Sequence, residues 1–370
     1  MASASTIVAA IAECLAAIPA EPRIERVPFA QALHRLAGEA VVLAEDRPAQ
    51  DLAAVAGYAV RADERERELR LAGTLGDAVG APPVLRAGTA WALAAGAPLP
   101  SDAAVLIAAE VDALGDRIRL RTEPAQHPGR RLAAGSLARA GTRLLDRGQV
   151  LDPAAQALAG WAGLEEVAII APPRCALLAP APLIGGDALG PLLMAFCLGW
   201  NLPASRHRLP GEGPLRRQAL ANAADRARVV VACADGAACA DAERALGFAP
   251  VLAPLAIARG QAAIACRPSG VVLVDLPADP AACLAALHLV LWPVLARLQA
   301  CPAPVWRRRP LAAPWAEGEA RTIVPARIDV SGAEPLPGDS LPIWTAASGM
   351  ALRAGGAGEA PVLPWAHRGR

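Results

Sequence analysis

Residues 271–298, VVLVDLPADPAACLAALHLVLWPVLARL, decide the fold of this chain. The β-branched run 271–274 suits a strand buried on both faces of a parallel sheet. We expect a turn over 275–280, in which Asp279 caps a helix and Pro280 takes the first helical position. Apolar side chains then recur at helical spacing, which predicts a buried crossover helix. These side chains are Leu284, Leu287, Leu291, Val294, Leu295 and Leu298.

A strand, a tight turn and a capped helix place exposed backbone amides at the carboxyl edge of a sheet. Doubly wound folds bind anions at that edge. Taken alone, the stretch establishes an α/β domain, and an ordinary βα turn without a ligand is its default interpretation. The alternation continues on both sides, so 172–300 is predicted to be one α/β sheet domain. Its predicted strands are 174–178, 228–233 and 262–266, and its predicted helices are 189–198, 215–225 and 241–246.

The regions on either side have other patterns. Residues 4–18 and 29–36 are predicted helices, the first ended by Pro19. From about residue 45 to 127, short strands alternate with Gly and Pro, which is typical of a small β-domain. The predicted strands there are 57–62, 68–73, 90–94, 104–109 and 117–121. After Cys301 the chain is rich in Pro, Gly and Arg, which favours a small β-domain with a weakly ordered tail from about Gly355.

Composition excludes several classes of protein. A chain of 370 residues exceeds one ordinary domain, and its net charge of +1 gives no field for nucleic acid or an anionic membrane. The sequence contains no lysine, so its 36 basic residues are all arginine, which binds phosphate but does not release its proton. Eight isolated cysteines include no C-x-x-C pair and indicate buried side chains in a reducing compartment, the cytoplasm. We expect no signal peptide, and the apolar run 287–296 is expected to be too short for a membrane span.

Four stretches carry a specific resemblance. They are DLAAVAGYAVRA (51–62), AGAPLPSDAAVLIAAE (95–110), ARAGTRLLDRGQVLDP (138–153) and LPADPAACL (276–284). They resemble the D-N-S-A-M-D-G-Y-A-V-R-A, T-G-A-P-L-P, A-G-D and L-P-G-N-P motifs of the molybdopterin molybdotransferase family, and they occur in the family's order. That family inserts molybdenum into the molybdenum cofactor.

The resemblance implies an α/β multidomain architecture of four parts. A linker domain (1–44 plus 129–171) would be interrupted by an inserted β-domain (45–128). A molybdopterin-binding-like α/β domain (172–300) and a C-terminal β-domain (301–370) would follow. The resemblance also implies a homodimer that binds molybdopterin or adenylated molybdopterin with Mg²⁺. Its cleft would combine two subunits, so that Asp51 and Glu110 of one face Arg259 and Gly260 of the other.

The same resemblance nominates site residues. Asp51 matches the first motif aspartate and is the candidate catalytic residue and metal ligand, and Glu110 is the second catalytic candidate. Arg130 and Arg131 resemble the family's arginine pair. Arg259 and Gly260 lie where the family has K-P-G-K-P, and Asp187 lies near its D-x-N; these five are candidate cofactor-binding residues.

Other motif positions have changed: two family aspartates are replaced by Ala56 and Thr142, and a glycine and an asparagine by Ala278 and Asp279. Three interpretations follow: a working molybdotransferase, a non-catalytic carrier or assembly factor, and a dimeric scaffold. The second would work with other molybdenum-cofactor biosynthesis proteins or with a molybdoenzyme.

Overall fold

A computed structural model describes residues 4–76, 81–182, 185–257, 259–302, 305–315, 323–353 and 359–365. It divides into two compact units. One consists of Met1–Glu39 and Arg147–Arg370, and the other is the insertion Ala40–Asp146. The insertion is therefore somewhat longer at both ends than the β-domain expected over 45–128.

The chain begins with helix α1 (Ala4–Ala16) and strand β1 (Ile24–Pro28). The helix expected at 29–36 is wrong. Only a 3₁₀ turn forms at Phe29–Gln31, and strand β2 (Leu36–Ala37) follows. His34 has a φ of +60°, a left-handed conformation that ends any right-handed helix. The apolar spacing that suggested a helix instead places Phe29 and Leu36 in the core.

The insertion is an all-β unit whose main sheet has six strands in the order β8-β5-β7-β6-β10-β9. Apolar side chains pack on both faces of this sheet. The five strands expected from the sequence are present within one to three residues. Two short ladders, β3–β12 and β4–β11, join the beginning of the unit to its end. The strands are β3 (Val41–Val42), β4 (Leu52–Ala53), β5 (Gly57–Arg61), β6 (Glu68–Leu75), β7 (Thr89–Leu93), β8 (Ala103–Leu106), β9 (Val111–Leu114), β10 (Arg117–Leu120), β11 (Arg131–Leu132) and β12 (Arg143–Leu145).

The chain then returns to the first unit through helix α2 (Pro153–Ala162) and strand β13 (Glu166–Ile170). Asp152 caps α2 by accepting the amide hydrogen of Ala155 at 2.8 Å, and Gly163 ends the helix at φ +70°. Strand β13 pairs antiparallel with both β1 and β2. Two stretches of chain separated by the insertion therefore form one sheet.

The α/β domain is built on a six-stranded sheet in the order β15-β14-β16-β19-β18-β17. The first four strands are parallel, β18 runs antiparallel to them, and β17 pairs antiparallel with β18. Two strands, β15 and β17, were not expected, because β15 is polar and exposed and β17 contains two prolines. The elements are β14 (Cys175–Ala179), α3 (Leu189–Gly199), β15 (Ala204–Arg208), α4 (Pro214–Ala224), β16 (Val229–Cys233), α5 (Ala237–Ala245), β17 (Ala249–Ile257), β18 (Gly260–Cys266) and β19 (Val272–Leu276).

The helix predicted after β19 is present, with a change of hydrogen-bond register inside it. Segments α6 (Pro280–Ala286) and α7 (Trp292–Leu298) flank a π-helical turn, Leu287–Leu291. Pro293 lacks the N–H that a regular helix needs, and the widened turn lies just before it. Asp279 caps α6 by accepting the amide hydrogen of Ala282 at 2.9 Å, as expected. The turn expected at 275–280 starts later, because Asp275 and Leu276 belong to β19.

The apolar run 287–296, which was expected to be too short to span a bilayer, lies within a longer helix. Pro280–Leu298 has 19 residues and a mean hydropathy of 1.8, enough for a span by length and composition. However, 83% of that window is buried inside the protein. Core helices of globular proteins share this length and composition, and the burial of Pro280–Leu298 supports the role of a core helix.

The C-terminal part is a five-stranded antiparallel sheet in the order β20-β24-β23-β21-β22. The weakly ordered tail expected from Gly355 is wrong for Glu359–Pro364, which pairs with strands on both sides. Residues 354–358 and 366–370 lie outside the described residues. The elements are β20 (Arg307–Pro310), β21 (Ile323–Ile328), β22 (Ala333–Pro335), α8 (Leu341–Ala346), β23 (Gly349–Leu352) and β24 (Glu359–Pro364).

Candidate functional site

Asp51 lies just before β4, and Arg131 is on the partner strand β11. The Arg131 guanidinium donates a hydrogen bond to Asp51 Oδ2, and the Ala134 amide donates to Oδ1 at 2.8 Å. The Ala134 amide is the main reason that the pKa of Asp51 lies below its ordinary value, and Arg131 lowers it further. Both carboxylate oxygens are thus engaged by groups of the same unit.

Glu110 and Arg130 form a second, bidentate pair. Arg130 donates its two terminal nitrogens to the two Glu110 oxygens at 2.5 and 2.9 Å, and it also donates to the Val105 carbonyl oxygen at 2.9 Å. The bonds from Arg130 lower the pKa of Glu110. Both side chains are only about one-fifth exposed, at 19% for Arg130 and 20% for Glu110. This geometry is the strong, planar form of an arginine–carboxylate contact.

The structure therefore brings four predicted site residues of the insertion into two internal ion pairs. A Mg²⁺ ion that displaced Arg131 from Asp51 would leave this partly buried guanidinium with only backbone carbonyl acceptors and no counter-charge, which is costly. Within the described ranges, no three His, Cys, Asp or Glu side chains come together as a possible metal site. The residues present do not fit a protein-held Mg²⁺ ion.

The carboxyl edge of the α/β sheet is a separate candidate site, in the other compact unit. Strands β16 and β19 end here, and β18 begins here with Gly260. Asp235, whose φ is +53°, accepts the amide hydrogens of Gln261 at 3.1 Å and Ala278 at 3.3 Å. A Cβ added to Gly260 would lie 2.5 Å from Asp235 Oδ1 and 2.6 Å from Pro277 Cβ. The edge forms a cradle for an anion, and its amides donate to the chain's own Asp235 carboxylate.

The remaining cofactor-binding candidates are also paired. Arg259 lies 3.5 Å from Asp339, with its side chain 63% exposed. Asp187 accepts the Gly190 amide hydrogen at 2.9 Å near the start of α3 and a bond from Arg206. Ala258, expected to replace a family lysine, lies outside the described residues. Among these candidates, Arg259 is the positively charged group most accessible to a ligand at this edge.

Sequence reasoning missed Asp275, which it placed in a turn. Asp275 is fully buried and accepts amide hydrogens from Ala234 at 2.9 Å, Ala238 at 2.7 Å and Cys239 at 3.3 Å. Burial raises the pKa of Asp275 to about 7, against the opposite effect of those bonds. The available signal was a carboxylate at the end of a β-branched run, where it can hold the start of the neighbouring helix α5.

The fold combines an all-β insertion, a mostly parallel sheet with an anion cradle and a C-terminal β-sheet. These parts define a class of multidomain α/β proteins. Residues 5–163 match the family model of the MoeA N-terminal region (domain I and II). The N-terminal part of the chain is therefore similar in sequence to the MoeA family.

Solved structures support the same fold. A molybdopterin biosynthesis MoeA protein from Pyrococcus horikoshii is 21% identical, with a TM-score of 0.78 over 98% of this chain and 99% of that one. A second structure, from P. horikoshii OT3, is 18% identical, with a TM-score of 0.69 over 97% and 99%. A molybdenum cofactor biosynthesis protein from Pyrococcus furiosus is 13% identical, with a TM-score of 0.58 over 99% and 100%. No curated protein matches the sequence.

Proposed function

We propose that this protein acts in molybdenum cofactor biosynthesis as a cytoplasmic member that binds molybdopterin, or its adenylated form, without inserting molybdate. The family match and the shared fold support the general assignment. The specific one follows from the state of the charged candidates. Asp51, Glu110, Asp187 and Arg259 all contact an oppositely charged side chain of the same chain.

This internal pairing is the observation that carries the proposal. Metal and phosphate chemistry requires carboxylates and cations whose charge is directed at the ligand. In the insertion, Arg130 and Arg131 neutralise the two carboxylates that would hold a cation. Each pair is largely shielded from water, and opening it would leave a poorly solvated charge. The residues are arranged to stabilise the unit rather than to hold reactants.

Ligand binding is more plausible at the sheet edge, because the cradle there suits an anion. The amides of Gln261 and Ala278 converge on one carboxylate, and Gly260 leaves no room for a side chain. A phosphate could take the place of the Asp235 carboxylate and contact Arg259. Asp235 therefore competes with the ligand, while Arg259 favours it.

Titration calorimetry with molybdopterin tests this directly. The wild-type protein should bind, Arg259→Ala should weaken binding by about tenfold through loss of one charged contact, and Asp235→Ala should strengthen it. Arg327→Ala is a matched control, since Arg327 is an exposed arginine paired with Glu334. If neither the wild type nor Asp235→Ala binds, the scaffold interpretation replaces this one.

We also propose a homodimer that acts with other molybdenum-cofactor biosynthesis proteins or with a molybdoenzyme. The family resemblance supports this assembly. Light scattering at micromolar concentration should give twice the mass of 37.9 kDa. A mass equal to that of one chain would contradict the dimer.

A further inference from the structure

A second polar cavity lies at the opposite, amino-terminal edge of the same α/β sheet. Its volume is about 550 Å³, and it opens to solvent. Arg174 and Arg228 each stand one residue before a parallel strand, β14 and β16, and form one wall. A second wall is formed by Arg23 and Arg35, which each stand one residue before a strand, β1 and β2. All these residues belong to one compact unit.

The cavity carries an excess of positive charge. Four arginines and two glutamates, Glu21 and Glu25, are its charged lining residues. This local excess of two contrasts with a net charge of +1 for the whole chain of 370 residues. Within the described part of the chain, none of the four guanidinium groups is held in an ion pair. The Arg228 guanidinium donates to the Ser269 carbonyl oxygen at 3.2 Å.

Arg35 supplies an independent observation. Its Nε atom is buried and has no hydrogen-bond partner among the described residues. A buried charged donor without an acceptor is costly, and such groups generally have a partner in the functional state. The backbone amides of Cys175, Arg228 and Val229 already donate to carbonyl oxygens, so an anion in the cavity would be held by the guanidinium groups.

We propose that this cavity binds a small organic phosphate that carries at least two negative charges. Guanidinium groups match phosphate oxygens in two-point geometry, and several arginines facing one space favour a multiply charged anion over a neutral ligand. A volume of about 550 Å³ lies within the range of small-molecule sites. The site is separate from the cradle at Asp235 and Gly260, because the two lie at opposite ends of the same strands.

Calorimetry with inorganic phosphate and with pyrophosphate, at constant ionic strength set by chloride, tests the proposal. Pyrophosphate should bind with one-to-one stoichiometry and more tightly than phosphate, and affinity should fall as salt is raised. Arg35→Ala and Arg174→Ala should each weaken pyrophosphate binding by about tenfold or more. Glu21→Gln should strengthen it, because it removes a negative charge from the cavity.

Two control variants locate the binding. Arg26→Ala removes an exposed arginine of strand β1. This arginine is paired with Glu39 and does not line the cavity. Arg259→Ala removes the arginine of the opposite edge. Arg26→Ala should bind pyrophosphate as the wild type does, whereas Arg259→Ala reports whether any pyrophosphate binds at the cradle. Arg174 has an exposed side chain, so its variant is expected to fold even if Arg35→Ala does not.

Absence of saturable pyrophosphate binding to the wild type would overturn the proposal. So would unchanged affinity in both Arg174→Ala and Glu21→Gln. Binding that is lost in Arg259→Ala but kept in Arg174→Ala would place the anion at the other edge, and it would likewise overturn this site while supporting the proposed cradle.

Discussion

A strain that lacks its own molybdotransferase should remain without molybdoenzyme activity when it expresses this protein at ordinary molybdate concentrations. Ala56 and Thr142 replace two aspartates of the family motifs and so remove two carboxylates, and Asp51 is closed in its pair with Arg131. Each preorganised charged or donor group in such a site lowers the activation free energy by roughly 3 kcal/mol. Losing several together should reduce molybdate insertion by many orders of magnitude.

The measurement is molybdoenzyme activity in cell extracts, with an intact family member as the positive control and immunoblotting to confirm expression. Restored activity would contradict the non-catalytic proposal. In that event Asp51→Ala is the decisive variant, because abolition of the rescue would show that this carboxylate is released from Arg131 during the reaction. Arg327→Ala again serves as a surface control.

Replacing Asp275 by alanine should cause the second large effect, a loss of about 3 kcal/mol or more in the free energy of unfolding. The variant would leave the amide hydrogens of Ala238 and Cys239, in the first turn of α5, without the Asp275 acceptor, each worth about 1–3 kcal/mol when buried. The Ala234 amide would lose one of its two acceptors, since it also donates to the Leu276 carbonyl oxygen. Asp279→Ala is the matched control. Asp279 also caps a helix but accepts one amide hydrogen, so its removal should cost about 1 kcal/mol. Equal losses in urea unfolding would show that burial at Asp275 adds nothing.

The same residue gives a pH dependence with a defined sign. The pKa of Asp275 is about 7 in the folded protein and 3.8 in its ordinary state, so the folded protein holds the proton more tightly. Its contribution to stability is complete below about pH 4 and is lost as the pH rises through 7. Urea unfolding between pH 4 and 8 should therefore show a decline that is reduced in Asp275→Asn. An identical decline in both proteins would assign it to other groups.

The α/β domain could be predicted well because its signals are local. A β-branched run followed by Asp279, Pro280 and regularly spaced leucines specifies a strand, a cap and a helix from neighbouring residues alone. The failures arose where tertiary contacts override local preference. Strand β15 is polar because it lies at the sheet edge. The stretch 29–36 does not form a helix, because it makes a 3₁₀ turn and then enters β2, which pairs with β13.

The candidate site could be located but not interpreted from sequence. Motif order identified Asp51 and Arg131, yet nothing in it shows that these residues, 80 positions apart, bond to each other. The role of Asp235 was also hidden. Asp235 does not align with an aspartate of the family motifs. Only the folded loops show that its carboxylate accepts the amide hydrogens of Gln261 and Ala278. Side-chain partners depend on distances that a one-dimensional pattern does not contain.

The way in which the insertion begins and ends has a consequence for the history of the gene. Its first and last strands, β3 and β12, are hydrogen-bonded neighbours, and the flanking chain is also held together, with the Gly148 amide donating to the Ala37 carbonyl oxygen at 2.7 Å. A module whose two ends adjoin can be acquired or deleted by a single recombination event, since the rest of the polypeptide keeps its path. The β-unit could thus have evolved at its own pace, and the neutralised carboxylates lie within it.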